Sequence, residues 1–323
     1  MHFVLSNDKN EDQFMIYDII IIGAGPAGLT AAIYAGRDRL QTLLISKDLG
    51  GQTAISGEIG NYPGLETAQG IELVEKMRQQ AEKLETVKIN IGPDRGVSKI
   101  EKTNVGFIIT NGKGEQYETK SIIIAAGKDP KRLNVPGEKE FEGRGVNFCA
   151  TCDAPLYRQK NVAIIGGGYS AAKAAYTLLG YAQKIYILMT GEQLGGEAVI
   201  LDKIKNAPQI QIVPFAQTTA IKNDGAKVTG VTYTQNGKTG EVAVDGVFVE
   251  IGSTPNTAIF NNLIKLNEVG EVEVDAKNTT STPGIFAAGD ITSIWAKQIV
   301  IAAGDGAKAA IAASEYLANQ KTV

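Results

Sequence analysis

Cysteine and histidine are nearly missing from this 323-residue chain, which has only Cys149 and Cys152 and the single histidine His2. A secreted scaffold held by disulfides needs more cysteine than this. Two cysteines three positions apart leave a redox pair or half of a metal site. Zinc would need four ligands and His2 is distant in sequence, so no metal site is expected. An excess of basic charge is also missing. The formal net charge is −3, and no bulk basic field calls for nucleic acid or an anionic membrane. No apolar run reaches the roughly 18 residues that span a bilayer. Residues 1–14 carry Asp8, Lys9, Glu11 and Asp12 in place of the apolar core of a secretory signal. They read as a short N-terminal extension, and a cytoplasmic location is the expectation.

Glycine is plentiful, and its 37 copies fall partly in tight clusters. With 43% hydrophobic and 21% charged residues, the composition is that of a folded globular protein, and the length suits two domains. A pattern of strand, glycine turn and helix occurs twice. Tyr17–Ile22 runs into Gly23-Ala24-Gly25-Pro26-Ala27-Gly28 and the helical stretch Leu29–Gly36. Asn161–Ile165 runs into Gly166-Gly167-Gly168-Tyr169-Ser170-Ala171 and Ala172–Leu179. Each unit is followed by a second apolar strand, Thr42–Ser46 and Lys184–Met189.

A lone G-x-G-x-x-G match is weak, but here its structural context is repeated. In such a turn the first glycine allows the tight bend and the second lets backbone approach a pyrophosphate. The third lets helix and strand pack closely, and the helix N-terminus offers free N–H groups to the phosphates. Further strands end in Ala125-Ala126-Gly127, in Gly252 and before Gly289-Asp290, with hairpin signals at Asn111-Gly112 and Asn236-Gly237. The fold class is therefore α/β, with two Rossmann-like dinucleotide-binding-type domains, the second inserted into the first. The expected division gives residues 15–129 and 252–323 to the outer domain and 130–251 to the inserted one.

From Tyr17 onward the chain resembles the low-molecular-weight thioredoxin reductases. The matching segments, in family order, are Gly23–Gly28, Gly50-Gly51-Gln52, Asn61-Tyr62-Pro63-Gly64, Ala125-Ala126-Gly127, Cys149-Ala150-Thr151-Cys152-Asp153, Gly166–Ala171, and Gly289-Asp290 followed by Gln298. The resemblance implies FAD in the outer domain, a homodimer, and domains that rotate against each other between half-reactions. It implies that Cys152 faces the flavin, that Cys149 attacks the disulfide of a thioredoxin, and that Asp153 handles thiol protons. A plain helix cap is the competing role for Asp153. FAD contacts are implied at Gly23, Gly25, Pro26, Ala27 and Gly28, at Gly51, Gln52 and Asn61, at Ala126 and Gly127, and at Gly289, Asp290, Gln298 and Ile299. One departure is near Ser46, where a dinucleotide fold usually has an acid for ribose hydroxyls and the nearest acid here is Asp48.

The second unit departs further. NADPH-dependent members carry H-R-R-x-x-x-R after the second strand of the inserted domain, and its arginines grip the 2′-phosphate. The matching positions here are Met189, Thr190, Gly191 and Gly195, without an arginine. The family's acidic pair after the turn is replaced by Lys173 and Ala174. This pattern resembles the pyridine-nucleotide-independent branch, in which reduced ferredoxin is the donor. Plant-type ferredoxins lie near about −400 mV and thioredoxin near about −270 mV, so the transfer runs roughly 6 kcal/mol downhill for two electrons. Lys128, Lys131, Arg132, Arg158 and Lys160 are candidates for a basic docking surface, beside their ordinary role as solvated cations. The alternatives are an NAD(P)H-dependent reductase with a divergent site, a dithiol oxidase using oxygen, and a non-enzymatic flavin redox sensor.

Overall fold

The first strand, Ile16–Ala24, shows why the outer domain is layered. Its central residues are buried on both faces, as expected for a strand inside a parallel sheet. Successive side chains point to opposite sides. Ile19 and Ile21 join a core beneath the helices Pro26–Arg37, Gly70–Glu82 and Ile299–Gln320, while Ile20 and Ile22 join Phe107, Ile109, Phe260 and Val272 on the other face. The computed structural model describes residues 15–56 and 58–320. The extension expected over residues 1–14, His2 included, lies outside the described residues.

The outer domain is a seven-stranded sheet. Val87–Ile91, Thr42–Leu49, Ile16–Ala24, Gln116–Ile124 and Ile285–Ala287 run parallel in that order. Phe107–Asn111 and Val97–Lys102 add an antiparallel meander at the start of Gln116–Ile124. The inserted region has its own five-stranded parallel sheet, ordered Val146–Asn147, Gly246–Val249, Asn161–Ile165, Lys184–Leu188 and Ile210–Val213. Val162 and Ile164 pack under the helix Tyr169–Leu178. Ala163 and Ile165 pack against a three-stranded antiparallel sheet, Ala216–Asn223, Val228–Gln235 and Lys238–Ala243. Asn236 and Gly237, both with positive φ, turn the last hairpin as their sequence predicts.

The chain passes between the two sheets through an antiparallel ribbon, Lys128–Pro130 paired with Ser253–Pro255. Both glycine turns stand at the C-terminal ends of their strands, where ligands of such sheets bind.

Candidate active site

The three glycines of the first turn have three different jobs. Gly23 has φ +109°, and a Cβ there would stand 2.3 Å from the Ala125 carbonyl oxygen. A Cβ on Gly28 would stand 1.8 Å from the Gly23 oxygen, so only glycine lets the helix close onto the turn. Gly25 meets nothing nearer than the Gly50 oxygen at 4.0 Å, and its open side faces a cavity of about 620 Å³. The helix Pro26–Arg37 starts there without a side-chain cap or an acid in its first turn, which leaves its amides for an anionic ligand.

That cavity gathers most of the residues singled out by sequence. Its wall includes Gly23, Gly25, Pro26, Ala27, Gly51, Gln52, Ala126, Gly127, Gly289, Asp290, Gln298 and Ile299, and also Cys149, Cys152 and Asp153. A phosphate-type turn and a vicinal sulfur pair therefore face one space, although their elements belong to different sheets. Gly28 and Asn61 do not reach the wall. Gly28 is spent on helix packing, and the Asn61 amide donates to Gln298 Oε1 at 3.1 Å, backing a wall residue. Ser46 and Asp48 both line the cavity, with the Asp48 amide 3.4 Å from the Ser46 hydroxyl.

Cys149 and Cys152 form a disulfide with Cα atoms 5.3 Å apart. Cys149 is the N-cap of the short helix Ala150–Asp153, and its sulfur accepts the Cys152 amide at 3.2 Å. Asp153 ends that helix on the cavity wall, and burial pushes its carboxyl up to about 6. A carboxyl poised there can hold a proton at neutral pH or release it. Beside it, the Tyr157 hydroxyl accepts from the Asn147 amide at 2.7 Å. Burial also raises the Asp290 carboxyl above its ordinary value.

Several wall residues carried no signal in the sequence. Lys297, next to Gln298, has its ammonium pKa lowered by burial and lies 3.5 Å from Glu271. Asn256 reaches back to donate to the Ala126 carbonyl at 2.9 Å. The expected basic docking surface needs correction at two positions. Lys128 is turned inward onto Glu271 at 3.0 Å, with side-chain exposures of only 17% and 13%. Arg132 is engaged by Glu142 at 2.7 Å and lies over the Phe148 ring. Arg158 and Lys160 rest on the rings of Tyr181 and Tyr157.

A second cavity of about 590 Å³ lies at the other glycine turn, walled by Gly166, Gly167, Gly168, Ser170, Thr190 and Glu250 among others. Gly168, like Gly25, has open space where a Cβ would be. Loop residues following the second strand lean on this turn. The Gly195 amide donates to the Gly167 carbonyl at 2.8 Å, and the Met189 side chain packs against Gly167. Thr190 and Gly191, where the arginine clamp would begin, are exposed and carry no charge.

The family model described as pyridine nucleotide-disulphide oxidoreductase matches residues 17–312. The chain belongs to this family. A solved thioredoxin reductase from Streptococcus pyogenes is similar with a TM-score of 0.88 at 34% identity, covering 94% of this chain and 99% of that one. Thioredoxin reductase from Giardia duodenalis is similar with a TM-score of 0.85 at 32% identity over the same shares. Among curated relatives, an alkyl hydroperoxide reductase subunit of Pseudomonas putida is 38% identical over 304 residues, 93% of this chain but 58% of the relative. Its namesake from Escherichia coli is 36% identical and is covered over 59% of its length. The chain thus spans somewhat more than half the length of these curated relatives.

FAD is the cofactor of this member of the pyridine nucleotide-disulphide oxidoreductase family. The first cavity fits that group. Its volume lies within the ~300–1,000 Å³ usual for ligand sites, Gly25 leaves the turn open, and the amides beyond it are uncapped. No helix among the described residues is long and apolar enough to cross a membrane.

Proposed function

We propose that this family member reduces the disulfide of a thioredoxin and takes its electrons from reduced ferredoxin. The observation that carries the first half is the shared wall. Cys149, Cys152 and Asp153 border the cavity that fits FAD, so the sulfur pair lies within reach of the bound cofactor's two-electron chemistry. The chain's own residues do the rest. In the reduced enzyme the Cys149 thiolate attacks the partner disulfide, forming a mixed disulfide and releasing one thiolate that takes up a proton. The Cys152 thiolate then attacks Cys149, re-forming the Cys149–Cys152 bond and releasing the second thiolate. Asp153 carries a proton in this exchange, since burial keeps its carboxyl near half-protonation around pH 6. Gly25 and the first amides of Pro26–Arg37 hold the cofactor's phosphates, and Asn61 braces Gln298.

The donor half rests on the second cavity. An NADPH site needs cations for the 2′-phosphate, each charge-assisted bond being worth about 1.5–3 kcal/mol. Thr190, Gly191 and Gly195 supply none. Arg132, whose guanidinium lines that cavity, is engaged by Glu142. Ferredoxin delivers electrons singly, so two deliveries serve each disulfide.

The identity to the alkyl hydroperoxide reductase subunits supports a second reading, in which the same cysteines feed a hydroperoxide-reducing partner.

The deciding experiment follows flavin bleaching under anaerobic conditions with reduced ferredoxin, NADPH or NADH, each followed by oxidised thioredoxin. Bleaching by ferredoxin and reoxidation by thioredoxin is the expected result. Rapid bleaching by NADPH or NADH overturns the donor assignment. A reduced flavin that thioredoxin leaves bleached overturns the acceptor.

A further inference from the structure

Two lysines on the wall of the first cavity share one carboxylate oxygen. Lys128 Nζ lies 3.0 Å and Lys297 Nζ 3.5 Å from Glu271 Oε1. The three residues come from separate stretches of chain. Lys128 begins the ribbon strand Lys128–Pro130, Lys297 precedes the helix Ile299–Gln320, and Glu271 lies in the connection between Phe260 and Ile285. Glu271 is itself held on both sides. The Asn267 side-chain amide donates to Glu271 Oε2 at 3.0 Å, and Asn267 Oδ1 accepts the Glu271 backbone amide at 2.9 Å. The next residue, Val272, donates to the Ile291 carbonyl at 2.9 Å and accepts the Ser293 amide at 2.8 Å. The carboxylate is thus fastened to the segment that leads to Lys297, whose ammonium also donates to the Thr292 carbonyl.

This trio is largely withdrawn from water, with side-chain exposures of 13% for Glu271, 17% for Lys128 and 23% for Lys297. Lys47 and Asp129, also on the cavity wall, pair only at 4.0 Å and are more than half exposed. Water and salt screen such an outer pair, whereas the enclosed charges keep most of their field. Both lysines of the trio line the cavity and Glu271 does not. Burial raises the Asp290 carboxyl on the same wall. At Glu271 burial acts in the same sense, but the bonds from Lys128 and Asn267 prevail and hold its carboxyl below the ordinary value. Glu271 is therefore the firmer counter-charge, and within the trio one positive charge is left over.

We infer that Glu271 is a positioning residue for the cofactor site, its carboxylate fixing Lys128 and Lys297 at the cavity wall and offsetting part of their charge, so that the trio sets the reduction potential of the bound flavin. Reduction adds electrons to a flavin, so nearby positive charge favours the reduced form and nearby negative charge opposes it. The inference rests on FAD filling the first cavity and is independent of the electron donor and of the acceptor.

The test compares Glu271→Gln, which keeps the size of the side chain and removes its charge, with Lys297→Met, which keeps the apolar stem and removes a cation. The potential of the bound flavin is measured anaerobically against a reference dye, while flavin content and far-UV circular dichroism report on cofactor loading and folding. Expected for Glu271→Gln is a shift toward the reduced flavin of about tenfold in the two-electron equilibrium constant, ~30 mV upward. Lys297→Met shifts it by a similar factor toward the oxidised form, and the double variant falls between the two singles. Mere loosening of the site does not produce shifts of opposite sign. If Glu271→Gln fails to fold or to hold flavin, Lys128→Met and Lys297→Met carry the test, each expected to lower the potential. The inference is overturned if the folded, flavin-bearing variants all stay within about twofold of wild type, or if removing Glu271 and removing a lysine shift the equilibrium in the same direction.

Discussion

Lys173 Nζ stands 5.9 Å from the centre of the Trp295 ring and 5.6 Å from that of Tyr169, one cation between two aromatic rings. Lys173 belongs to the helix after the second glycine turn, where the resembling reductases carry acid. Trp295 lies in the loop entering the C-terminal helix of the outer domain and is 86% exposed. The contact therefore spans the two sheets on the molecular surface. Exposed cation–π pairs are worth about 0.5–1 kcal/mol.

Because Trp295 is the chain's one tryptophan, its emission reports on the surroundings of this ring, Lys173 included. Lys173→Met keeps the apolar stem and removes the charge. The expected result is a changed tryptophan lifetime and emission maximum, with unfolding free energy lowered by no more than about 1 kcal/mol. Emission identical to wild type would show that the pair does not form in solution.

Asp153 makes stability depend on pH. Burial lifts its carboxyl from 3.8 to about 6, so the folded chain binds that proton more tightly than the unfolded chain does. Below about pH 4 both states are protonated and nothing is lost. As pH rises toward 6 the unfolded chain ionises first and stability falls, by about 3 kcal/mol at most at 1.36 kcal/mol per pKa unit. Asp153→Asn removes this loss. Urea unfolding should show the variant more stable than wild type above pH 6 and equal to it below pH 4. Its disulfide reduction should nevertheless slow by about 10²-fold, the usual contribution of a positioned acid–base group. Equal stability at pH 8 would mean that Asp153 is hydrated.

Two glycines just beyond the first strand should separate binding from folding. Gly25 has ordinary backbone angles and open space toward the cavity, so Gly25→Val places methyl groups where the cofactor's phosphates go. The expected product is folded, colourless protein with an apoprotein melting temperature near that of the wild-type apoprotein. Gly28→Ala would set a Cβ 1.8 Å from the Gly23 oxygen, and this overpacking should destabilise the fold by about 1–3 kcal/mol or more. Absorbance at flavin wavelengths and thermal unfolding distinguish the two variants.

The contrast between these glycines also shows what a sequence can reveal. The strand–turn–helix units were legible because their geometry is local: three glycines at fixed spacing, an apolar run before them and a helical period after. The cysteine pair was legible for the same reason. What stayed hidden depends on elements far apart in the chain. Lys128 looked like a surface cation until Glu271 was placed beside it, 143 positions away. The link from Asn61 to Gln298 spans 237 positions.

The second cavity offers a gain-of-function test of the donor assignment. Thr190 and Gly191 are exposed at the mouth of the loop, and a Cβ on Gly191 would meet no heavy atom within 4 Å. Both positions can therefore take a long side chain without disturbing the sheet. Gly168 already leaves room at the turn, so the missing element is charge and not space. Thr190→Arg combined with Gly191→Arg supplies two guanidinium groups where the 2′-phosphate of NADPH would lie. Charge-assisted bonds worth about 1.5–3 kcal/mol each predict tightening of about 10²–10⁴-fold for NADPH, with little change for NADH, which lacks that phosphate. Calorimetric titration of both nucleotides into wild type and double variant measures the difference directly. Tight NADPH binding by the wild type would show that cations elsewhere replace the clamp and would remove the main support for ferredoxin.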